Sequence, residues 1–165
     1  MIGIKEKVMK VASLMTRNVK TCAPGDRTSS AVRSMDEACC GALPVLENGV
    51  VVAMVTDRDI CLELGKRNVR PASLTVREVM SEAPLHSIGE EEDVDRALQL
   101  MRRWKVRRLP VIDRNGVLRG IISMNDIVRS TGETASASDP SYAATVGALR
   151  AICERQRRAP TGDWL

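Results

Sequence analysis

The sequence predicts an α+β protein made of two tandem β-α-β-β-α repeats, with one further helix at the C-terminal side. Three observations carry that prediction. Residues recur at a nearly constant offset: Ala31/Ala97, Met35/Met101 and Leu43-Pro44-Val45/Leu109-Pro110-Val111 lie 66 apart, and Gly49/Gly116, Asp59/Asp126 and Ile60/Ile127 lie 67 apart. Self-similarity at a fixed period marks a duplicated unit. Each copy holds two apolar runs separated by an Asn-Gly pair, the strongest short-range hairpin signal. In each copy the second run breaks into Ser/Thr-x-x-Asp, Thr56 to Asp59 and Ser123 to Asp126.

The elements of each copy follow in order. A leading helical turn comes first; in copy two Thr75-Val76-Arg77-Glu78 reads as a capping box ahead of Val79-Met80. Short extended pieces, Val19 to Cys22 and Leu85 to Ile88, come next. An amphipathic helix follows, clearest in copy two, where Val94, Ala97, Leu98 and Met101 fall at i, i+3, i+4, i+7 behind the acidic run Glu90 to Asp93. Copy one repeats the stripe as Thr28, Ala31, Val32 and Met35. The hairpin strands are Leu43–Leu46 with Val50–Val55, and Leu109–Ile112 with Val117–Ile122. Closing helices run from about Asp57 to Lys66 and from Met124 to Ser130. The predicted organisation is repeat 1 over 8–66, a linker over 67–75, repeat 2 over 76–130, a Ser/Thr/Gly/Ala-rich flexible linker over 131–141, and a helix over 142–158. On that last helix Val146, Leu149, Ile152 and Cys153 share a face. A unit of about 55–60 residues is marginal alone, so the copies are expected to bury a face against one another.

Composition excludes several classes. The longest apolar run, Val50 to Val55, is far short of the ~20 residues of a membrane span, and Met1 to Lys7 has no signal-peptide core. Five cysteines without Cys-x-x-Cys spacing read as reduced, mostly buried thiols, with Cys39-Cys40 as small core residues in a cytoplasmic protein. Net charge is +4 with a pI near 9.0, yet only Trp104, Trp164 and Tyr142 are aromatic, too few to stack single-stranded bases. A single histidine, His86, rules out a Ser-His-Asp or Cys-His pairing in both copies, and no Walker-type loop is present. No catalytic machinery is visible and no metal site is expected; His86 reads as a solvated loop residue.

Thr56/Asp59 and Ser123/Asp126 have two readings. A hydroxyl at an N-cap with an acid three residues later saturates the free amides of a first helical turn. The same pair delivers a carboxylate for ribose hydroxyls beside a helix start suited to phosphate. The residues leave both readings open. The run Arg102-Arg103-Trp104-Lys105-Val106-Arg107-Arg108 reads first as cations offsetting a helix dipole, with Trp104 on the inner face.

The duplicated unit, the Met in each leading turn, the Leu-Pro-Val strand and Gly-h-h-Ser/Thr-x-x-Asp together resemble tandem cystathionine-β-synthase (CBS) domains, a Bateman module, over about residues 8 to 130. The layout is similar to free-standing prokaryotic pairs of the hypoxic response protein kind. The resemblance implies repeats related by a pseudo-two-fold axis, and a non-enzymatic regulatory module binding AMP, ADP, ATP or S-adenosylmethionine in clefts between them. No other cofactor is required. It implies that Asp59 and Asp126 grip ribose, that Thr56 and Ser123 approach phosphate with Arg58 and Asn125 beside them, and that Thr21 contacts adenine. His86 stands in the matching segment of copy two, and Arg107 and Arg108 sit where a cation meets phosphate. It also implies a homodimer, with an adenosyl small molecule and an effector protein as partners. Gly120 keeps the family residue where copy one has Ala53, a methyl expected to crowd strand or ligand, so copy two ranks first. Two alternatives stand beside this reading: a ligand-free interaction module whose Ser/Thr-x-x-Asp pairs are only caps, and, less favoured, a nucleic-acid-binding protein using the basic patches.

Overall fold

The computed structural model describes residues 9–81, 83–130 and 140–154, with backbone only at 140 and 141. In chain order the elements are α1 (Val11–Leu14), α2 (Thr28–Glu37), β1 (Ala42–Glu47), β2 (Val50–Thr56), α3 (Asp57–Arg67), a 3₁₀ turn (Pro71–Ser73), α4 (Val76–Val79), α5 (Val94–Trp104), β3 (Arg108–Ile112), β4 (Leu118–Ser123), α6 (Met124–Ser130) and α7 (Pro140–Cys153). The α+β duplication is present, with β1 paired to β2 and β3 paired to β4.

The extended piece ahead of each main helix is shorter than the sequence suggests. It touches the sheet at a single parallel bridge, Cys22 beside Val45 and Ile88 beside Val111. Two amide bonds hold each one: Cys22 N–H to Pro44 O at 3.1 Å and Leu46 N–H to Cys22 O at 2.8 Å, then Ile88 N–H to Pro110 O at 3.1 Å and Ile112 N–H to Ile88 O at 2.9 Å. A turn beginning two residues later takes the chain away in each copy before a ladder forms.

The two Asn-Gly pairs make different turns. Asn48 (φ 52°) and Gly49 (φ 82°) are both left-handed, as a two-residue type I′ turn demands. In copy two only Gly116 is (φ 80°). There the Asp113 carboxylate organises a longer loop, accepting the amides of Asn115 at 2.8 Å and Val117 at 3.0 Å. The Val117 amide above all, then Asn115 and the Arg119 guanidinium, hold the Asp113 carboxyl below its usual range. Val117 is spent on this loop, so β4 begins one residue later than expected.

The compact units do not coincide with the sequence repeats. Among the described residues, one gathers those of 16–90 and 110–121; the other gathers those of 9–15, 91–109 and 122–154. In the first, Leu74, Val76 and Val79, which lead copy two, join a core of Leu43, Val45, Val55 and Ile60. The fully buried Thr28 ties them in: its amide donates to Leu74 O at 2.9 Å and its hydroxyl donates to Pro71 O. Val76 N–H reaches Asp26 O at 2.8 Å. Glu78 closes the expected box, accepting the amide and hydroxyl of Thr75, each at 2.8 Å.

In the second unit the leading turn of copy one does the same work against α5 and α6. Val11 N–H donates to Glu92 O and Val94 N–H to Met9 O, both at 2.9 Å, and Lys10 Nζ lies 2.7 Å from Asp93. Helix α7 packs on α5 and α6 in this unit. Its buried stripe is Thr145, Ala148 and Ile152, whereas Val146 is 45% exposed and Cys153 is exposed. Of the expected face, Ile152 is buried and Leu149 half-buried, while Val146 and Cys153 turn outward and Thr145 and Ala148 take their place at the contact. Most of the expected linker over 131–141, and the last residues of the expected helix over 142–158, lie outside the described residues.

The thiols also differ from expectation. Cys22 alone is buried; Cys40 is half-buried and Cys39, Cys61 and Cys153 are exposed. Cys39 leaves the core because α2 ends at Glu37 and Cys39 takes the left-handed conformation that turns the chain into β1. Burial, reinforced by the Asp26 carboxylate, pushes the Cys22 thiol up to about 11. At pH 8 it is therefore a neutral, shielded thiol. Iodoacetamide labelling at pH 8 is expected to modify the three exposed cysteines of the native protein quickly, and Cys22 only after unfolding. Fast labelling of Cys22, read by peptide mass mapping, would contradict this packing.

Candidate functional site

Strand β2 alternates outward and buried residues, with Val51, Ala53 and Val55 inside. Thr56 therefore shares a face with Met54, and the methyl of Ala53 (5% exposed) packs into the core with Val45 and Val55. The strand stays in register there, Val45 opposite Ala53, and its one irregularity falls between Val45 and Leu46. Ala53 crowds neither the strand nor the face that carries Thr56, so the reason first given for ranking the copies does not hold. Gly120 and Ile122 are likewise the buried side of β4, with Ser123 on the other face.

At the end of each strand the hydroxyl and carboxylate close a two-way cap. Thr56 donates its amide (3.0 Å) and its hydroxyl (2.6 Å) to Asp59 Oδ2, and Asp59 N–H returns a bond to Thr56 Oγ1 at 3.2 Å. Ser123 donates its amide (2.8 Å) and hydroxyl (2.6 Å) to Asp126 Oδ2, and Asp126 N–H returns to Ser123 Oγ at 3.3 Å. A short Asp closes the box because one oxygen accepts both donors of the capping residue. Asp59 and Asp126 are half-buried, and their Oδ1 atoms accept no hydrogen bond among the described residues. The capping reading is thus correct as structure, and it leaves one oxygen of each carboxylate unused.

What stands opposite each cap differs. Ala42 pairs directly with Thr56 across the hairpin, and Gly41 O accepts Asp57 N–H at 3.2 Å. In copy two Arg107 O accepts Met124 N–H at 2.8 Å, the same register. That register sets Arg108 opposite Ser123, and directly opposed residues of an antiparallel pair project from the same face. Arg107 is exposed and Arg108 half-buried.

The remaining site candidates are dispersed. Arg58 and Asn125 are exposed on the first turns of α3 and α6. Thr21 is exposed beside the Cys22 bridge, on the opposite side of β1 from β2. His86 is half-buried and engaged with other groups, not the solvated loop residue expected. Trp104 is 43% exposed, with the Arg103 guanidinium 5.0 Å from its ring centroid, so it is not an inner-face residue. A hollow of about 620 Å³ between α2 and α3, lined by Val32, Met35, Cys39, Cys61 and Leu64 among others, does not include Thr56 or Asp59. Sequence reasoning missed Val32 as an outward residue, since the helical period alone put it on the buried stripe. No described helix is long and apolar enough to cross a membrane.

The duplicated hairpin-and-helix unit with its paired caps defines the class: the chain belongs to the CBS-domain family, whose model matches residues 11–66 and 76–133. Among its relatives is the CBS domain-containing protein YhcV of Bacillus subtilis, 37% identical over 117 residues, 71% of this chain and 81% of that protein. Inosine-5′-monophosphate dehydrogenase of Mycobacterium tuberculosis is 33% identical over 151 residues, but the match spans 88% of this chain and only 27% of the enzyme. Solved structures with the same fold include Hypoxic Response Protein I with two coordinated zinc ions (TM-score 0.66, 26% identity, 73% of this chain and 98% of that one). Another is CBSX2 in complex with AMP (TM-score 0.63, 28% identity, 74% and 96%). Among the described residues of this chain, no group of three or more His, Cys, Asp or Glu is placed to hold a metal ion.

The caps predict a measurable stability effect. Without ligand, Asp126→Ala or Asp59→Ala is expected to cost about 1 kcal/mol, a fall of about 2–4 °C in Tm for a chain of this size. Thermal unfolding followed by circular dichroism checks this; unchanged melting in both variants would mean that the caps hold nothing.

Proposed function

We propose that the chain is a non-enzymatic regulatory module, requiring no cofactor, that binds an adenosyl ligand such as AMP, ADP, ATP or S-adenosylmethionine at its two Ser/Thr-x-x-Asp turns. It works as a cytoplasmic homodimer and passes its ligand state to an effector protein. The observation that carries this is the split use of each aspartate: Oδ2 is fixed by the cap while Oδ1 keeps its acceptor capacity. A carboxylate already held in place loses little freedom when it accepts two vicinal hydroxyls. The AMP complex of CBSX2 supports the ligand class.

In this reading Asp59 and Asp126 take the ribose hydroxyls; Ser123 lies toward the phosphate with Asn125 beside it, and Thr56, with Arg58 beside it, lies toward the corresponding 5′ end of a ligand in copy one. Thr21 and the segment of His86 face the base. Arg107 and Arg108 supply charge-assisted bonds to phosphate at the copy-two turn, which makes Asp126 the more important carboxylate for a nucleotide. Ligand then acts by favouring one arrangement of the chain over another, in proportion to its difference in affinity for the two.

Saturating AMP or ATP, at about 100 times Kd, is expected to stabilise the protein by about 2.7 kcal/mol, a rise of about 5–10 °C in Tm. Asp126→Ala is expected to reduce AMP affinity more than Asp59→Ala in calorimetric titrations. A ligand-free interaction module is the competing reading, favoured by the fact that both boxes close without ligand. No shift and no heat with any adenosyl compound would decide for it.

A further inference from the structure

The two turns share one box and carry opposite charge. In copy one the residue paired with Thr56 is Ala42, which is 4% exposed and ends in a methyl group. Its neighbour Gly41 has no side chain; a Cβ there would lie 2.8 Å from Asp57 Oδ2, so the Asp57 carboxylate fills the space a larger residue would need. Asp57 also accepts the Arg58 amide at 2.7 Å, which fixes that carboxylate one residue from the box. In copy two the corresponding positions hold Arg108, Arg107 and the buried, uncharged Met124.

Taking Gly41, Ala42 and 57–59 together, the formal charge is −1; for Arg107, Arg108 and 124–126 it is +1. Neither Arg107 nor Arg108 makes an ion pair among the described residues. A phosphate brought to the Ser123 turn meets guanidinium groups able to bind it by charge-assisted bonds. At the Thr56 turn the same phosphate meets the exposed Asp57 and the half-buried Asp59 with only Arg58 against them, and the like charges repel. The carboxylates that repel phosphate there are favourable neighbours for a positive group.

We infer that the two turns divide adenosyl ligands by charge: the Ser123/Asp126 turn takes a phosphorylated ligand, and the Thr56/Asp59 turn takes an uncharged or cationic one. This rests on the adenosyl-binding function proposed above and adds which ligand goes where. Arg108 is the specificity residue on one side, and the Ala42–Asp57 combination is its counterpart on the other.

The test is calorimetric titration of the full chain with two probes, AMP as the phosphorylated ligand and 5′-methylthioadenosine as the uncharged one. Arg108→Ala, which gives copy two the residue of copy one, is expected to weaken AMP binding by about tenfold or more and 5′-methylthioadenosine binding by less than about twofold. Asp126→Ala is expected to abolish AMP binding and leave 5′-methylthioadenosine binding intact; Asp59→Ala is expected to do the reverse. The milder Asp126→Asn and Asp59→Asn variants carry the same test if an alanine variant unfolds. Equal loss of both probes in Arg108→Ala, or AMP binding that depends on Asp59 rather than Asp126, would overturn the division while leaving adenosyl binding itself standing. Failure of the unmodified protein to bind either probe would overturn both.

Discussion

Each strand-to-helix junction rests on one carboxylate oxygen. Asp59 Oδ2 and Asp126 Oδ2 each accept an amide and a hydroxyl from the residue that ends the strand, and the hydroxyl in turn accepts the aspartate's own amide. The bonds fix where β2 and β4 stop, and therefore where α3 and α6 start. They also hold the second oxygen of each carboxylate in a fixed place without using it. The cap therefore uses one oxygen of the side chain and leaves the acceptor capacity of the other intact.

The rest of each copy is arranged around that junction. The buried side of β2, through Val51, Ala53 and Val55, anchors the strand in the core and leaves Thr56 on the other face. The partner strand then decides which residue stands opposite the hydroxyl, Ala42 in one copy and Arg108 in the other. A duplication that keeps the junction and changes the residue across from it keeps the fold and alters the electrostatics. Neither Ala42 nor Arg108 disturbs the strand, because a position at the start of a two-stranded hairpin tolerates either a buried methyl or a half-exposed guanidinium.

The duplication, the hairpins and the Ser/Thr-x-x-Asp turns were all legible in the sequence, since each is a local pattern set by a period, a turn residue or a cap. What was not legible depended on which face met what. Ala53 looked like an obstacle until strand alternation placed it inside, away from Thr56. Val146 and Cys153 fitted an apolar stripe by type, yet α7 packs through the smaller Thr145 and Ala148. Trp104 and Cys39 sit at helix C-terminal ends, where Lys105 and Cys39 adopt left-handed backbone and the side chains leave the core. A helical period cannot anticipate such an exit. The weight of Arg108 emerged only when the register, through Gly41 and Arg107, set it across from Ser123.

The exchange of leading turns gives the chain a particular order of assembly. Residues 16–81 carry most of one unit's core, including Leu74, Val76 and Val79, and are made before the second main helix and hairpin. The other unit has no such continuity: Val11 waits for Glu92, and Met9 for Val94, before α1 has a place to bond. More than seventy residues separate these partners, and closing so long a loop costs entropy before any contact repays it. During synthesis the apolar turn at Val11 therefore stays without its partner until the second copy is made. Each compact unit thus draws its leading turn from the other copy, and the unit that holds Val11 is completed only when the second copy has been made.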